Sequence, residues 1–346
     1  MLLNAIAPNA GLWLNANMEN YYDLIIVGGG PAGISAAYAA KQHGLNYVVL
    51  ERAELANTVY QYPLGKVLFS TSNELEFEPQ TLHPQGVKPT REELLVYYQN
   101  FEQQHQLKIK RPEAVISITS APSEVLLVTS ERATYQARNV LIAVGGMGLV
   151  NHLGVPGDTP ERVSYFFHSA APLVGKAVVV IGVGNSAGET ALELCQAGIQ
   201  PTMIVWRPSL DKTEHSQGSA LKPWVREPLE AAIAQGKLTT IFEAQVVEIL
   251  PQTIKIKHQG EYREIPAEVI LALTGAKPDL SLLKTAGAVI ANDGRPVYDS
   301  HTYETSVKHL YVCGHLTREL HMKMAISLPP TIVAGIAAQL KNNTNK

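Results

Sequence analysis

Cysteine is nearly absent: Cys195 and Cys313 are the only two among 346 residues, far apart and in no Cys-x-x-Cys pair. That scarcity argues against a disulfide framework and against cysteine-ligated metal, and it suits a reducing compartment, read here as the cytoplasm. Charge is sparse as well, at 17% with a net of −3 and no run of Lys or Arg. A nucleic-acid footprint and a polybasic membrane patch are both excluded on that ground. No apolar run reads as long enough to span a bilayer, and the longest, such as Ala177 to Val183, fit buried strands. Met1 to Asn17 has no basic n-region and is broken by Pro8 and Gly11. It reads as an N-terminal extension, with Met18 as an alternative start, and not as a signal peptide.

What is present is apolar material, 46% of the chain, enough for about two cores at this length. It is arranged as one grammar used twice. Asp23 to Val27 is a short apolar run that suits a parallel strand buried on both faces, Ala32 to His43 has helical spacing, and Tyr47 to Glu51 is the next strand. The same order returns at Ala177 to Ile181, Ser186 to Ala197 and Thr202 to Trp206. Two β-rich stretches with alternating polarity, Val115 to Tyr135 and Val246 to Tyr262, each lead to an apolar strand with a glycine turn, Asn139 to Gly146 and Val269 to Ala276. A strand at Leu310 to Cys313 and a helix from about Thr331 to Leu340 are expected to rejoin the first domain. The fold class is therefore α/β, with two Rossmann-type, three-layer (ββα) nucleotide-binding domains. The second, residues 151–274, is inserted in a discontinuous first domain of residues 18–150 and 275–346.

Each repeat carries a glycine fingerprint between strand and helix, and the strand that follows ends differently. The first, Gly28-Gly29-Gly30-Pro31-Ala32-Gly33, is followed by Glu51, 23 residues beyond Gly28; the second, Gly182-Val183-Gly184-Asn185-Ser186-Ala187, is followed by Arg207, 25 residues beyond Gly182. Gly28 and Gly182 suit the tight turn, Gly30 and Gly184 the close approach of a pyrophosphate, and Gly33 or Ala187 the packing of helix on strand. A carboxylate at the strand end accepts ribose hydroxyl protons, whereas a guanidinium neutralises a 2′-phosphate, so the pair reads as FAD first and NADPH second. Around the FAD fingerprint the expected contacts are Arg52, Gln61, Val115, Ala143, Gly145, Gly314, His315, Met324 and Ala325; around the NADPH fingerprint they are Glu189, Trp206 and Gly275. His315, Lys323 and Cys313 are the catalytic candidates, because a cation near a returning FAD loop could offset negative charge on the flavin and a thiol there could relay electrons. No metal site is expected.

From about Tyr21 to Leu340 the chain resembles the pyridine nucleotide-disulfide oxidoreductase superfamily in its low-molecular-weight thioredoxin reductase-like form, and within it the YpdA-like, bacillithiol disulfide reductase family. The resemblance rests on Asn57 to Pro63, Leu68 to Glu76, Pro89 to Tyr98, Gly154 to Gly157, Leu221 to Trp224 and Leu273 to Asp279. Three departures accompany it. The family's fingerprint cysteine is Ala32 here, the thioredoxin reductase Cys-x-x-Cys is missing from the second domain, and the usual Gly-Asp of the last FAD loop is Gly314-His315.

The resemblance implies a flavoprotein oxidoreductase that passes hydride from NADPH to FAD and on to a small-molecule electron acceptor, such as a low-molecular-weight disulfide. Three alternatives stand beside it: a flavin monooxygenase, a ferredoxin- or flavodoxin-linked reductase with a small redox protein as partner, and a flavin-binding protein without turnover. The histidine-containing signature of the monooxygenases is not matched near His168, where Arg162 and Ser164 replace the required Phe and Gly. By analogy with the scaffold, the protein is expected to be a homo-oligomer.

Overall fold

The structure, a computed structural model, describes residues 20–121, 124–211, 221–318 and 321–344, so the N-terminal extension and Met18 lie outside the described residues. Along the chain, β1 (Tyr21–Val27), α1 (Pro31–Gln42) and β2 (Tyr47–Leu50) form the first βαβ unit. The short helices α2 (Asn57–Tyr60) and α3 (Ser72–Leu75) and the longer α4 (Arg91–Gln104) come next. β3 (Ile109–Lys110) then leads into a meander of β4 (Val115–Ala121), β5 (Val125–Ser130) and β6 (Thr134–Ile142). After β7 (Leu149–Val150) and β8 (Val163–Ser164), the second βαβ unit is β9 (Val178–Ile181), α5 (Asn185–Gln196) and β10 (Thr202–Ile204). α6 (Pro223–Ala234) and β11 (Thr239–Ile241) follow, then a second meander of β12 (Ala244–Ile249), β13 (Thr253–His258) and β14 (Glu261–Pro266). β15 (Val269–Ala272), β16 (Ala276–Lys277), α7 (Ser281–Thr285), β17 (Leu310–Val312) and α8 (Met322–Thr344) complete the chain.

Two compact units result. The first gathers residues up to Leu55, Glu102–Ala143 and Leu280 onward; the second gathers Ala56–Phe101 and Val144–Asp279. The stretch Ala56–Phe101, which the sequence reading leaves in the first domain, thus clusters in the second unit. Its interior is a knot of rings, with Phe77 stacked on Tyr97 at 5.9 Å and tilted against Phe101 at 4.8 Å.

In the first unit β1 lies between β2 and β6 and runs parallel to both. Leu24, Ile25 and Ile26 are fully buried, as an unbroken apolar strand covered on both faces requires. β6 is long enough to take two neighbours on its far edge. Its Thr134–Ala137 half pairs antiparallel with β5, and its Val140–Ile142 half pairs parallel with β17. The chain therefore does return to the first unit through Leu310–Val312.

α8 departs from expectation in two ways. It starts at Met322 rather than near Thr331 and runs through Pro329 and Pro330, although a proline inside a helix removes a backbone donor. Pro330 cannot donate to the carbonyl of Ile326, and the Ser35 hydroxyl of α1 donates to that same oxygen at 2.6 Å instead. A side chain from the neighbouring helix thus satisfies the acceptor that Pro330 orphans. α8 is also long and apolar enough, by length and composition, to cross a membrane, which corrects the reading that no such run exists. Here Ile332, Val333, Ile336 and Ala337 are buried in the unit, which accounts for the apolar composition without a bilayer.

The second unit has a parallel sheet in the order β11-β10-β9-β15-β8. One face packs on α5 and α6 through Val180, Ala187, Ala191, Leu194, Val225 and Leu229. The other face packs on the second meander, where Val179, Ile181 and Ile270 meet Ile249, Ile254 and Ile256. These are the three layers expected of a ββα domain. The chain enters and leaves this sheet through β7 and β16, which pair antiparallel; beside them the Thr274 hydroxyl donates to the Asn151 carbonyl at 2.5 Å.

Ser35→Ala leaves the buried Ile326 carbonyl without a donor and should cost about 1–3 kcal/mol. The check is the urea midpoint of the FAD-loaded protein, which is expected to fall; an unchanged midpoint would refute the role given to this hydroxyl.

Candidate active site

In the first unit the fingerprint forms an open cradle. Gly28 has φ +110, and a methyl group on Gly33 would lie 1.9 Å from the Gly28 carbonyl oxygen, so α1 approaches the turn as closely as backbone permits. Gly30, the extended N-cap of α1, has nothing within 4 Å of where a Cβ would sit. Pro31 occupies the first turn of the helix, and no side chain caps its end. Pro31 has no N–H and Ile34 bonds the Gly30 carbonyl, so the amides of Ala32 and Gly33 are the first-turn donors left for an anion of the pyrophosphate kind.

Glu51 sits at the rim of that cradle and is buried. Its Oε2 accepts the Gly29 N–H at 2.5 Å and its Oε1 accepts the Ala53 N–H at 2.8 Å. A carboxylate offers about four acceptor positions, so this one is fixed in place with capacity left for ribose hydroxyls. The Glu113 N–H bonds the Glu51 carbonyl at 2.7 Å, bringing the start of β4, and with it half-buried Val115, to the same rim. Ala143, buried, donates its N–H to the Val27 carbonyl at 2.8 Å and closes the strand end beside the turn. Arg52 is exposed.

Gly314, at φ +63, would place a Cβ 3.3 Å from that of Ala32 and 4.0 Å from that of Ala325. These three small residues therefore meet where the last loop returns. His315 and Met324 are half-buried next to them, while Lys323 is exposed. Of the residues expected around FAD, Gln61 and Gly145 belong to the second unit.

The second fingerprint is built alike. Gly182 has φ +132 and a Cβ there would lie 2.4 Å from the Leu273 carbonyl oxygen; Gly184 is open, with nothing within 4 Å. Gly184 is the extended N-cap of α5, again without a side-chain cap. Ala187 is fully buried in the third glycine position, and Ser186 is exposed. The Asn185 carboxamide oxygen accepts the Lys222 N–H at 2.8 Å. β10 ends at Ile204, two residues before the expected end at Trp206. Trp206 is 46% exposed and Arg207 only 3%, with the guanidinium carbon 5.1 Å from the Trp206 ring centroid. Gly275, at φ +85, accepts the Asn151 N–H at 3.0 Å. The donor set of uncapped amides with a cation past the strand end fits a phosphorylated dinucleotide.

Two residues in this unit were not legible beforehand. Lys66 pairs with Glu189 at 2.6 Å, so the Glu189 carboxylate, expected to face the nucleotide, is already engaged by an ammonium group. Lys222 was noted only within a stretch of resemblance, and no spacing rule connects it to Asn185, 37 residues earlier.

Neither cysteine is poised for chemistry. Cys313 is fully buried and burial pushes its thiol up to about 12, so the thiolate that a nucleophile needs is not formed near neutral pH. Cys195 is half-buried on α5, its Sγ donates to the Lys237 carbonyl at 3.3 Å, and burial raises its pKa too. The burial of Cys313 fits a packing residue more than a nucleophile. Among the described residues no cluster of three or more His, Cys, Asp or Glu could hold a metal ion.

A family model described as pyridine nucleotide-disulphide oxidoreductase matches residues 25–314. The chain is 31% identical over 292 residues to bacilliredoxin reductase Bdr of Bacillus subtilis, covering 84% of this chain and 88% of that one. It is 23% identical over 300 residues to a ferredoxin–NADP reductase of Ignicoccus hospitalis, covering 85% and 90%. The solved structure of bacillithiol disulfide reductase Bdr (YpdA) from Staphylococcus aureus superposes with a TM-score of 0.84 at 28% identity, covering 92% of this chain and 99% of that one. With two dinucleotide cradles in place and these likenesses across most of its length, the chain belongs to the pyridine nucleotide-disulphide oxidoreductase family, as a YpdA-like, FAD- and NADPH-dependent oxidoreductase.

Proposed function

We propose that this oxidoreductase holds FAD on the Gly28–Gly33 cradle of its first unit and NADPH on the Gly182–Ala187 cradle of its second, and that it reduces a small disulfide without using a thiol of its own. Bound there, the two cofactors supply hydride transfer from NADPH to FAD and delivery of the electron pair to an acceptor. The balance is NADPH + H⁺ + RSSR → NADP⁺ + 2 RSH. Glu51, fixed by the Gly29 and Ala53 N–H groups, accepts protons of ribose hydroxyls, and the Arg207 guanidinium favours the 2′-phosphate. His315, on the loop that meets Ala32, is the group placed to hold positive charge or donate a proton to a departing thiolate.

The observation that carries this reading is Ala32. It stands near Gly314 where a relay cysteine would be expected from the family resemblance, and of the two cysteines the chain does have, Cys313 is buried and Cys195 is half-buried with its thiol raised. Electron transfer must then reach the acceptor directly. The same observation favours a second reading, in which the acceptor is a small one-electron carrier protein, since that exchange needs no thiol either. The named ferredoxin–NADP reductase relative supports keeping it. The cytoplasm as location and self-association as the solution state belong to the same proposal, supported by the scarcity of cysteine and by the scaffold.

Two outcomes are expected. The double variant Cys195→Ser Cys313→Ala should oxidise NADPH with a low-molecular-weight disulfide at the native rate. A loss of activity with FAD content and fold retained would restore a protein thiol to the mechanism. Arg207→Ala should raise KM for NADPH by roughly tenfold or more, as loss of a charge-assisted phosphate contact does, and leave KM for NADH nearly unchanged. Equal effects on the two nucleotides would remove Arg207 from the 2′-phosphate.

A further inference from the structure

A 2′-phosphate carries close to two negative charges, and the cation assigned to it lies almost entirely inside the protein, with Arg207 only 3% exposed. A second cation that reaches solvent at the same end of the cradle would complete the site. Lys222 is exposed, and its own amide N–H is tied to Asn185, the first residue of the fingerprint helix, at 2.8 Å. The start of α6 is pressed against α5 there, since a Cβ on Gly188 would come within 2.7 Å of Val225.

α6 follows β10, and the turn after β10 carries Trp206 and Arg207 before it reaches Asp211. Asp211 bonds Arg226 of α6 at 2.6 Å, which lays the turn along one face of that helix. Lys222, the extended N-cap of α6, is four residues before Arg226 at the start of that helix. Arg226 itself is occupied, by Asp211 and by Glu230 at 2.7 Å. Among the described residues no carboxylate pairs with Lys222; its ammonium lies 5.9 Å from the centroid of the exposed Trp224 ring. Among the described residues at the start of α6 it is the cation without a carboxylate partner.

We propose that Lys222 is a specificity-determining ligand of the NADPH 2′-phosphate, acting from the start of α6 together with Arg207. The inference rests on the reading of the second fingerprint as an NADPH site. With one guanidinium enclosed and one ammonium free to move, the site discriminates by charge while the enclosed group fixes position.

The test is calorimetric titration of the oxidised, FAD-loaded protein with NADP⁺, NAD⁺ and 2′,5′-ADP, comparing native protein, Lys222→Ala and Lys222→Arg. Lys222→Ala is expected to weaken NADP⁺ and 2′,5′-ADP by roughly tenfold, as loss of one charged hydrogen bond does, and to leave NAD⁺ unchanged, with Lys222→Arg restoring most of the affinity. Equal weakening of NADP⁺ and NAD⁺ would place Lys222 on the pyrophosphate instead and overturn the assignment, as would no weakening at all. FAD content and thermal midpoint show whether each variant is folded. Native protein that binds NADP⁺ no better than NAD⁺ would instead overturn the NADPH reading beneath the inference, and that result is read before any variant is made.

Discussion

At Gly28 the chain turns so tightly that the helix behind it leaves no room for a methyl group on residue 33, 1.9 Å from the Gly28 oxygen. The close fit aims the uncapped start of α1 at one point, beside the buried Glu51 carboxylate that two backbone N–H groups hold still. Position, dipole and acceptor are thereby fixed before any ligand arrives, which is what preorganisation of a phosphate site means energetically. The second unit repeats the device at Gly182, where a Cβ would meet the Leu273 carbonyl, and reverses the sign of the charge past the next strand.

Against that shared frame, the difference from a thiol-relay enzyme is one small side chain. Ala32 contacts Gly314 in the first unit, and the nearest cysteine in sequence to that loop, Cys313, is sealed in the β17 end with its thiol pushed up to about 12. Reactivity of a cysteine depends on forming the thiolate, so burial removes it as surely as substitution would. On the proposed reading the protein keeps the nucleotide machinery of its family without a protein thiol, which shifts the burden of acceptor choice onto whatever surrounds the flavin.

Much of this was legible in the chain. The paired strand, turn and helix units, the period-2 meanders and the return of Leu310–Val312 to the first sheet follow from local spacing, because buried parallel strands and glycine turns have few alternatives. Other features depend on partners distant in sequence. α8 begins nine residues earlier than its spacing suggests, and Ser35, nearly three hundred residues away, satisfies the carbonyl that Pro330 orphans. Glu189 looks available on a helical face until Lys66 is brought to it. Lys222 gains its meaning only from the fold of α6 onto α5. Propensity rules see neighbours along the chain, and these contacts are made across it.

Anaerobic titration of the purified flavoprotein with NADPH, followed through the oxidised-flavin absorbance, tests the central claim most directly: two cradles, one for each nucleotide, working as a redox pair. The account predicts that one equivalent of NADPH bleaches the flavin and that a low-molecular-weight disulfide restores its colour. A flavin that stays oxidised in excess NADPH would contradict it, because the second cradle would then not deliver hydride to the first.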